Sequence, residues 1–290
     1  MHPIRTYRDT APAANGSPVG SRPGADSIIG TIAAITVTAL HTTPIKGLRV
    51  VARDAIELTC AGVADDRRFY LVDERARMVN GKTVAALQGV VATYDHAERE
   101  LALTFPDGSQ VAGPVALGDE LQTSFFSRPT PARELQGAFA AALSEHAGRE
   151  LRLVEAVHRT AVDRGRNGAV SLVSRASLTA LADVAGEHEI DARRFRMLVE
   201  LDGLDEAHEE DTWVGQAVRV GAALVRVRGH VGRCLITQRH PESGVTDLPM
   251  LDVLRSYRGD LDTSEPLAFG VYGEVLEPGR VAVGDAVSPG

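Results

Sequence analysis

From Gly30 onward the chain breaks into short runs rich in β-branched residues, each bounded by glycine, proline or aspartate. This spacing limits the fold more than any other feature, because such runs are too short for helices and too frequent for an all-helical protein. The sharpest case is residues 217–228, which alternate apolar and polar on both sides of Gly221-Ala222 and predict a β-hairpin. Runs at 30–40, 68–73, 100–105, 151–154, 170–173, 195–201 and 235–237 also read as strands. Residues 271–276 and 280–283, joined by Glu-Pro-Gly, read as a closing hairpin. Helices are expected over 135–143, ahead of Gly148, and over 175–184, with Ser174 as N-cap. A third is expected from Pro249 to Tyr257. The fold class is therefore α+β, mainly β, and barrel-like.

A chain of 290 residues suits one large or two modest domains. Residues 1–28 read as a disordered leader: they hold Ala, Pro, Gly and Ser with scattered Arg and no continuous apolar core. The apolar stretches are too short to span a bilayer, so no membrane partner is expected. The formal charge of −8 argues against a nucleic-acid partner, which would select a basic excess. The two cysteines, Cys60 and Cys234, cannot supply a four-thiolate zinc site or an all-cysteine iron–sulfur cluster. Both read as reduced thiols in a cytoplasmic protein.

Cys234 is the most informative residue. It follows His230, Gly232 and Arg233, so an imidazole and a guanidinium are near in sequence and a glycine permits close approach. A thiol in such a setting serves as nucleophile or soft metal ligand; a lone cysteine is equally a small buried hydrophobe. Lys46, Arg68, Arg194 and Arg196 stand beside or inside the expected strands, and Ser174 opens a helix. Together these could hold a phosphate-bearing ligand, although surface cations and a simple cap explain them as well. The acidic run 209–211 reads as a solvated turn. No Walker loop, dinucleotide fingerprint, zinc-protease helix or Gly-x-Ser-x-Gly elbow occurs.

Residues 233–244, beginning Arg233-Cys234, with 251–258, 269–279 and 283–285, resemble the C-terminal core of MOSC domains. Residues 43–46 and 66–73 resemble the β-barrel domain that precedes MOSC in that family, and Phe195-Arg196 and 213–215 also fit. The resemblance implies an N-terminal MOSC-associated β-barrel domain over 29–157 and a MOSC domain over 158–290. It implies a pyranopterin molybdenum cofactor ligated by Cys234, with Lys46, Arg68, Ser174 and Arg196 holding its pterin and phosphate. It further implies reduction of small N-oxygenated substrates with electrons from a separate electron-transfer protein. Two other readings stay open. One is a metal-free sulfur-transfer enzyme with Cys234 as nucleophile or persulfide carrier, His230 as general base and Arg233 holding an anionic group. The other is a non-catalytic cofactor carrier.

Overall fold

The structure is a computed structural model that describes residues 34–64, 66–157 and 165–290. The expected leader and the start of the 30–40 run lie outside the described residues. The described chain is mainly β, with α-helices α1 (Phe139–Ala147), α2 (Arg175–Ala185) and α3 (Met250–Arg258). None of its helices is long and apolar enough to cross a membrane.

The largest sheet has eight strands. In spatial order they are Val287–Pro289, Ala217–Val220, Ala223–His230, Val271–Glu277, Val170–Ser174, Val199–Asp202, Thr36–Thr42 and Val51–Arg53. The alternation at 217–228 becomes the expected hairpin: Val218, Val220, Val225 and Val227 are buried while Arg219 and Arg226 face solvent. Those valines pack with Leu40, Leu172, Leu201 and Trp213 in one apolar cluster. Burying each such side chain stabilises the fold by about 1.5–3 kcal/mol. Every ladder in this sheet is antiparallel except that between Val170–Ser174 and Val199–Asp202, which α2 connects as a crossover. No ladder joins the two edge strands, so the sheet is not a closed barrel. Three backbone bonds still stitch its ends together: Val37 N–H to Asp285 O (2.9 Å), Gly284 N–H to Val37 O (2.8 Å) and Val287 N–H to Ile35 O (2.8 Å).

A five-stranded sheet contains Leu117–Phe125, Arg128–Leu135, Arg152–Ala156, Phe69–Val72 and Met78–Val79. Two three-stranded sheets complete the architecture. Phe69, Leu71 and Leu153 share a second core with Leu101 and Leu103 and with Phe139 and Leu143 of α1.

Four expectations change. Leu135 ends a strand paired to Leu117 rather than opening a helix; Gly137, at φ 104°, breaks the chain, and α1 starts at Phe139. Hairpin pairing there overrides the helix propensity of Leu135, while the alanines that follow do form α1. Residues 195–198 are not strand: a 3-10 turn, Ala192–Phe195, capped by the Asp191 side chain, precedes Arg196 at φ 54°. The strand begins only at Val199. Residues 235–238 form another 3-10 turn. The closing hairpin does not form, because Gly279–Ala282 pairs with Ala55–Thr59 instead of with Val271–Glu277. Only Pro278 separates the two segments, which leaves no room for a two-residue hairpin turn.

The new pairing brings Gly279 against the 221–222 turn. A Cβ added at Gly279 would lie 2.5–2.7 Å from backbone atoms of Ala222 and Ala223. Gly279→Ala is therefore expected to destabilise the protein by about 1–3 kcal/mol, as overpacking does. The neighbouring exposed Arg280→Ala should stay within about 0.5 kcal/mol. Urea denaturation midpoints of the two variants distinguish these outcomes.

Candidate functional site

Cys234 has an extended backbone (φ −141°, ψ 176°) at the start of the Leu235–Gln238 turn. Its carbonyl accepts from the Thr237 amide (3.1 Å) and hydroxyl (3.0 Å), so the main chain is held while the thiol is exposed. The thiol borders a cleft of about 80 Å³ whose charged lining residues are Lys46, Lys82 and Arg196; no carboxylate of a described residue lines it. Phe126 forms one wall, and Gly47 and Gly81 bring backbone close. Gly47 sits at φ 97°, and a Cβ there would stand 3.1 Å from Asn80 Cα, so a larger residue is strained on both counts.

Three loops bring the cations together. Lys46 lies in the turn after Ile45, with its amide donating to Phe69 O at 2.8 Å. Arg196 donates from Nη2 to Leu48 O (2.8 Å) and accepts at its own carbonyl from Arg67 Nη2 (2.7 Å), which ties the 3-10 turn to the Lys46 loop. Lys82 follows Asn80, whose side-chain oxygen accepts from the Lys82 amide at 2.9 Å. The ammonium groups of Lys46 and Lys82 lie 5.5 and 5.3 Å from the Phe126 ring centre.

Of the eight candidate residues expected from sequence, Cys234, Lys46 and Arg196 line this cleft. The other five do not. Arg233 is buried: its guanidinium donates to Phe195 O (2.9 Å) and Phe269 O (2.9 Å), contacts Met197 Sδ, and stacks on the Phe195 ring. Arg68 forms a buried ion pair with Glu155 and lies over the Tyr94 ring at 5.3 Å. His230 places Nδ1 3.1 Å from Thr263 Oγ1, with Nε2 3.7 Å from Asp211. Arg194 is paired with Asp247. Lys82 and Phe126 were missed: the Asn80-Gly81 turn signal was available for the first, and a positive-φ phenylalanine has no sequence signature.

Ser174 caps α2 as expected, its oxygen accepting from the Ser177 amide at 3.1 Å, but it is fully buried. Its partner is Glu210, from the run read as a solvated turn; that expectation is overturned. Glu210 is wholly buried and accepts from the Ser174 amide (3.1 Å) and hydroxyl (2.8 Å) and from the Ser177 hydroxyl (2.7 Å). One amide and two hydroxyl donors at the start of α2 compensate a carboxylate that burial would otherwise reject. Burial still pushes the Glu210 carboxyl above its ordinary range, against the pull of these donors. Beside it, Asp211 pairs with Arg258, and His208 Nε2 lies 2.8 Å from the Tyr257 hydroxyl.

A larger cleft of about 600 Å³ lies elsewhere, lined by His41, Arg175, Asp191, Arg193 and Glu200. It holds no thiol, and its cations face acids: Arg193 pairs with Asp191 (2.7 Å) and Glu242 (2.8 Å), and Arg175 with Glu200 (3.7 Å). Size alone favours it, but the concentration of one charge sign beside a soft donor favours the smaller cleft. Among the described residues no cluster of three or more His, Cys, Asp or Glu could hold a metal ion.

Two outcomes test the buried network. Glu210→Ala leaves an amide and two hydroxyls without their acceptor and should cost about 3 kcal/mol in urea denaturation; Glu210→Gln, which keeps an oxygen, should cost less. His208 is held down at about 4, by burial and then by the Arg258 charge. Its folded pKa lies below the unfolded value of 6.5, so its contribution is present above pH 6.5 and lost as pH falls towards 4. His208→Asn suits the positive φ at that position and removes this titration. Its thermal midpoint should therefore fall less than that of the parent between pH 7 and pH 4, and an unchanged slope would refute the assignment.

Residues 34–150 match the family model described as the MOSC N-terminal beta barrel domain, and residues 159–288 match that of the MOSC domain. Among curated proteins the chain is similar to mitochondrial amidoxime-reducing component 1 of Xenopus laevis, 25% identical over 277 residues, covering 84% of this chain and 79% of that protein. Among solved structures it is similar to the YuaD protein from Bacillus subtilis (12% identity, 88% of this chain and 94% of that one, TM-score 0.42). It is also similar to YiiM from Escherichia coli (18% identity, 43% and 55%, TM-score 0.31). The two family models between them span nearly all the described residues, and the chain belongs to the MOSC domain proteins that carry the MOSC N-terminal β-barrel domain.

Proposed function

We propose that the chain is a molybdenum-cofactor-binding oxidoreductase that reduces small N-oxygenated substrates with electrons from a separate donor protein. The observation that carries this reading is the exposed Cys234 thiol at a cleft whose described charged residues are all cations, in a protein of net charge −8. The similarity to an amidoxime-reducing component supports the reaction class.

The donor set fits the group. Cys234 supplies one soft sulfur ligand, the kind molybdenum favours among protein side chains. A metal held by this single thiol brings its remaining ligands with it, as a cofactor-bound metal does. Lys46, Lys82 and Arg196 supply the positive field and donors that an anionic cofactor needs. Gly47 and Gly81 let the loops around the cleft pack closely, since a Cβ at Gly47 would meet Asn80 and one at Gly81 would meet Ile236 and Gln88. When bound, the cofactor supplies the two-electron redox chemistry, and the protein positions it and tunes its surroundings. The enclosed volume is below the roughly 300–1,000 Å³ of small-molecule sites. Seating a cofactor therefore requires lining groups to move, and the long side chains of Lys46 and Lys82 and the hairpin tip at Phe126 are suited to do so. Arg68 and Ser174 act from outside the cleft, Arg68 by fixing the strand that receives the Lys46 loop and Ser174 by anchoring α2.

The sulfur-transfer reading needs an imidazole at the thiol. His230 is instead turned to Thr263 and Asp211, which disfavours it as the general base.

Metal analysis of protein made in a cofactor-competent host tests the proposal. Near-stoichiometric molybdenum is expected, lost in Cys234→Ser and retained in Cys60→Ser. Reduction of benzamidoxime by reduced methyl viologen should follow the metal content. Lys82→Ala should weaken cofactor retention by about 10-fold or more, the scale of one charged hydrogen bond. Trace molybdenum that is equal in the parent and Cys234→Ser overturns the proposal.

A further inference from the structure

The hairpin tip beside the thiol cleft carries a residue that its own backbone disfavours. Strands Leu117–Phe125 and Arg128–Leu135 turn through Phe126 and Ser127, at φ 47° and 64°. A two-residue turn of this hand suits Asn-Gly, because a side chain at positive φ crowds the following carbonyl. Phenylalanine has no polar atom to compensate, and this ring is 48% exposed, so burial offsets little of the strain. Broken local rules of this kind cluster where function needs the side chain.

The surroundings of the ring indicate what that need is. Phe125, buried, backs it edge-on at 5.1 Å. Lys46 and Lys82 stand 5.5 and 5.3 Å from its centre, and Cys234 borders the same cleft. An ammonium at an exposed ring is held weakly; a charge-assisted hydrogen bond to an oxyanion is stronger. An anionic ligand therefore draws the Lys82 ammonium from the ring and exposes its face to any flat group the ligand carries.

We infer that Phe126 is a ligand-contacting, specificity-determining residue of the Cys234 cleft, selecting planar conjugated ligands that carry an anionic group for Lys46 and Lys82. This rests on the reading of the cleft as a cofactor and substrate site. The flat ring can belong to the cofactor or to the substrate, and both present the same chemistry to Phe126.

The test uses the full-length chain produced without cofactor, titrated at about pH 9.5, where a hydroxamate is ionised and a lysine is still mostly charged, with pterin-6-carboxylate and, separately, with benzohydroxamate. Succinate serves as a non-planar anion. The parent is expected to bind at least one planar probe. Phe126→Tyr should stay within about 2–3-fold, while Phe126→Ala and Phe126→Asn weaken that probe by about 10-fold, as loss of a stacking face does. Succinate affinity should not depend on residue 126. Phe126→Asn should also raise the thermal midpoint, since Asn tolerates positive φ; a residue serving the fold would lower it. Preference for the pterin assigns the ring contact to the cofactor, and preference for benzohydroxamate assigns it to the substrate. Equal affinity of both probes for the parent and Phe126→Ala, or no saturable binding of either probe to the parent, overturns the inference. Because no molybdenum is present, a failed metal analysis leaves this result standing. Conversely, Cys234-dependent molybdenum with no Phe126 dependence overturns only this inference.

Discussion

The buried guanidinium of Arg233 holds the site together. It donates to carbonyls of Phe195 and Phe269 and rests on the Phe195 ring, so three segments distant in sequence meet on one side chain. The next residue along one segment is Cys234, and the residue after Phe195 is Arg196. A single buried cation thus sets the spacing between the thiol and a cation of its cleft. A guanidinium suits this role because its fork of donors can serve several carbonyls at once. Burial is tolerated because the donors are met, each buried charged bond contributing about 1.5–3 kcal/mol.

The same economy of charge recurs on the opposite sign. Glu210 is buried among donors at the start of α2, and Asp211 pairs with Arg258 of α3. The acidic run therefore works as a brace between two helices and the eight-stranded sheet. Arg68 and Glu155 perform the equivalent task in the five-stranded sheet. The cluster of Lys46, Lys82 and Arg196 at one cleft that no described carboxylate lines stands out against the acidic whole.

Local patterns were legible in the sequence. The 217–228 hairpin, the Ser174 cap and Gly148 at the end of α1 each depend on residues within a turn of one another. What depended on distant partners was not. Residues 279–282 look like the return strand of a hairpin, yet they pair with Ala55–Thr59. Neighbours of Cys234 in sequence suggested a base and an anion clamp, but the extended chain sends Arg233 inward, and His230 faces Thr263. Glu210, in the run read as a solvated turn, is wholly buried because its donors come from the distant cap and first turn of α2. Phe126 entered the site only through a backbone angle that no composition reveals.

The stitching of Thr36–Thr42 has a consequence in time. One of its edges pairs early with Val51–Arg53, but the other pairs with Val199–Asp202, and its first residues bond to Asp285 and Gly284. An early-made strand thus waits for late-made partners as the chain is synthesised. Topologies dominated by such long-range pairing fold slowly, and their unpaired edges are exposed to other chains meanwhile. The apolar residues Val37 and Leu40, silent in the finished core, are the ones this protein must shield while it is being made.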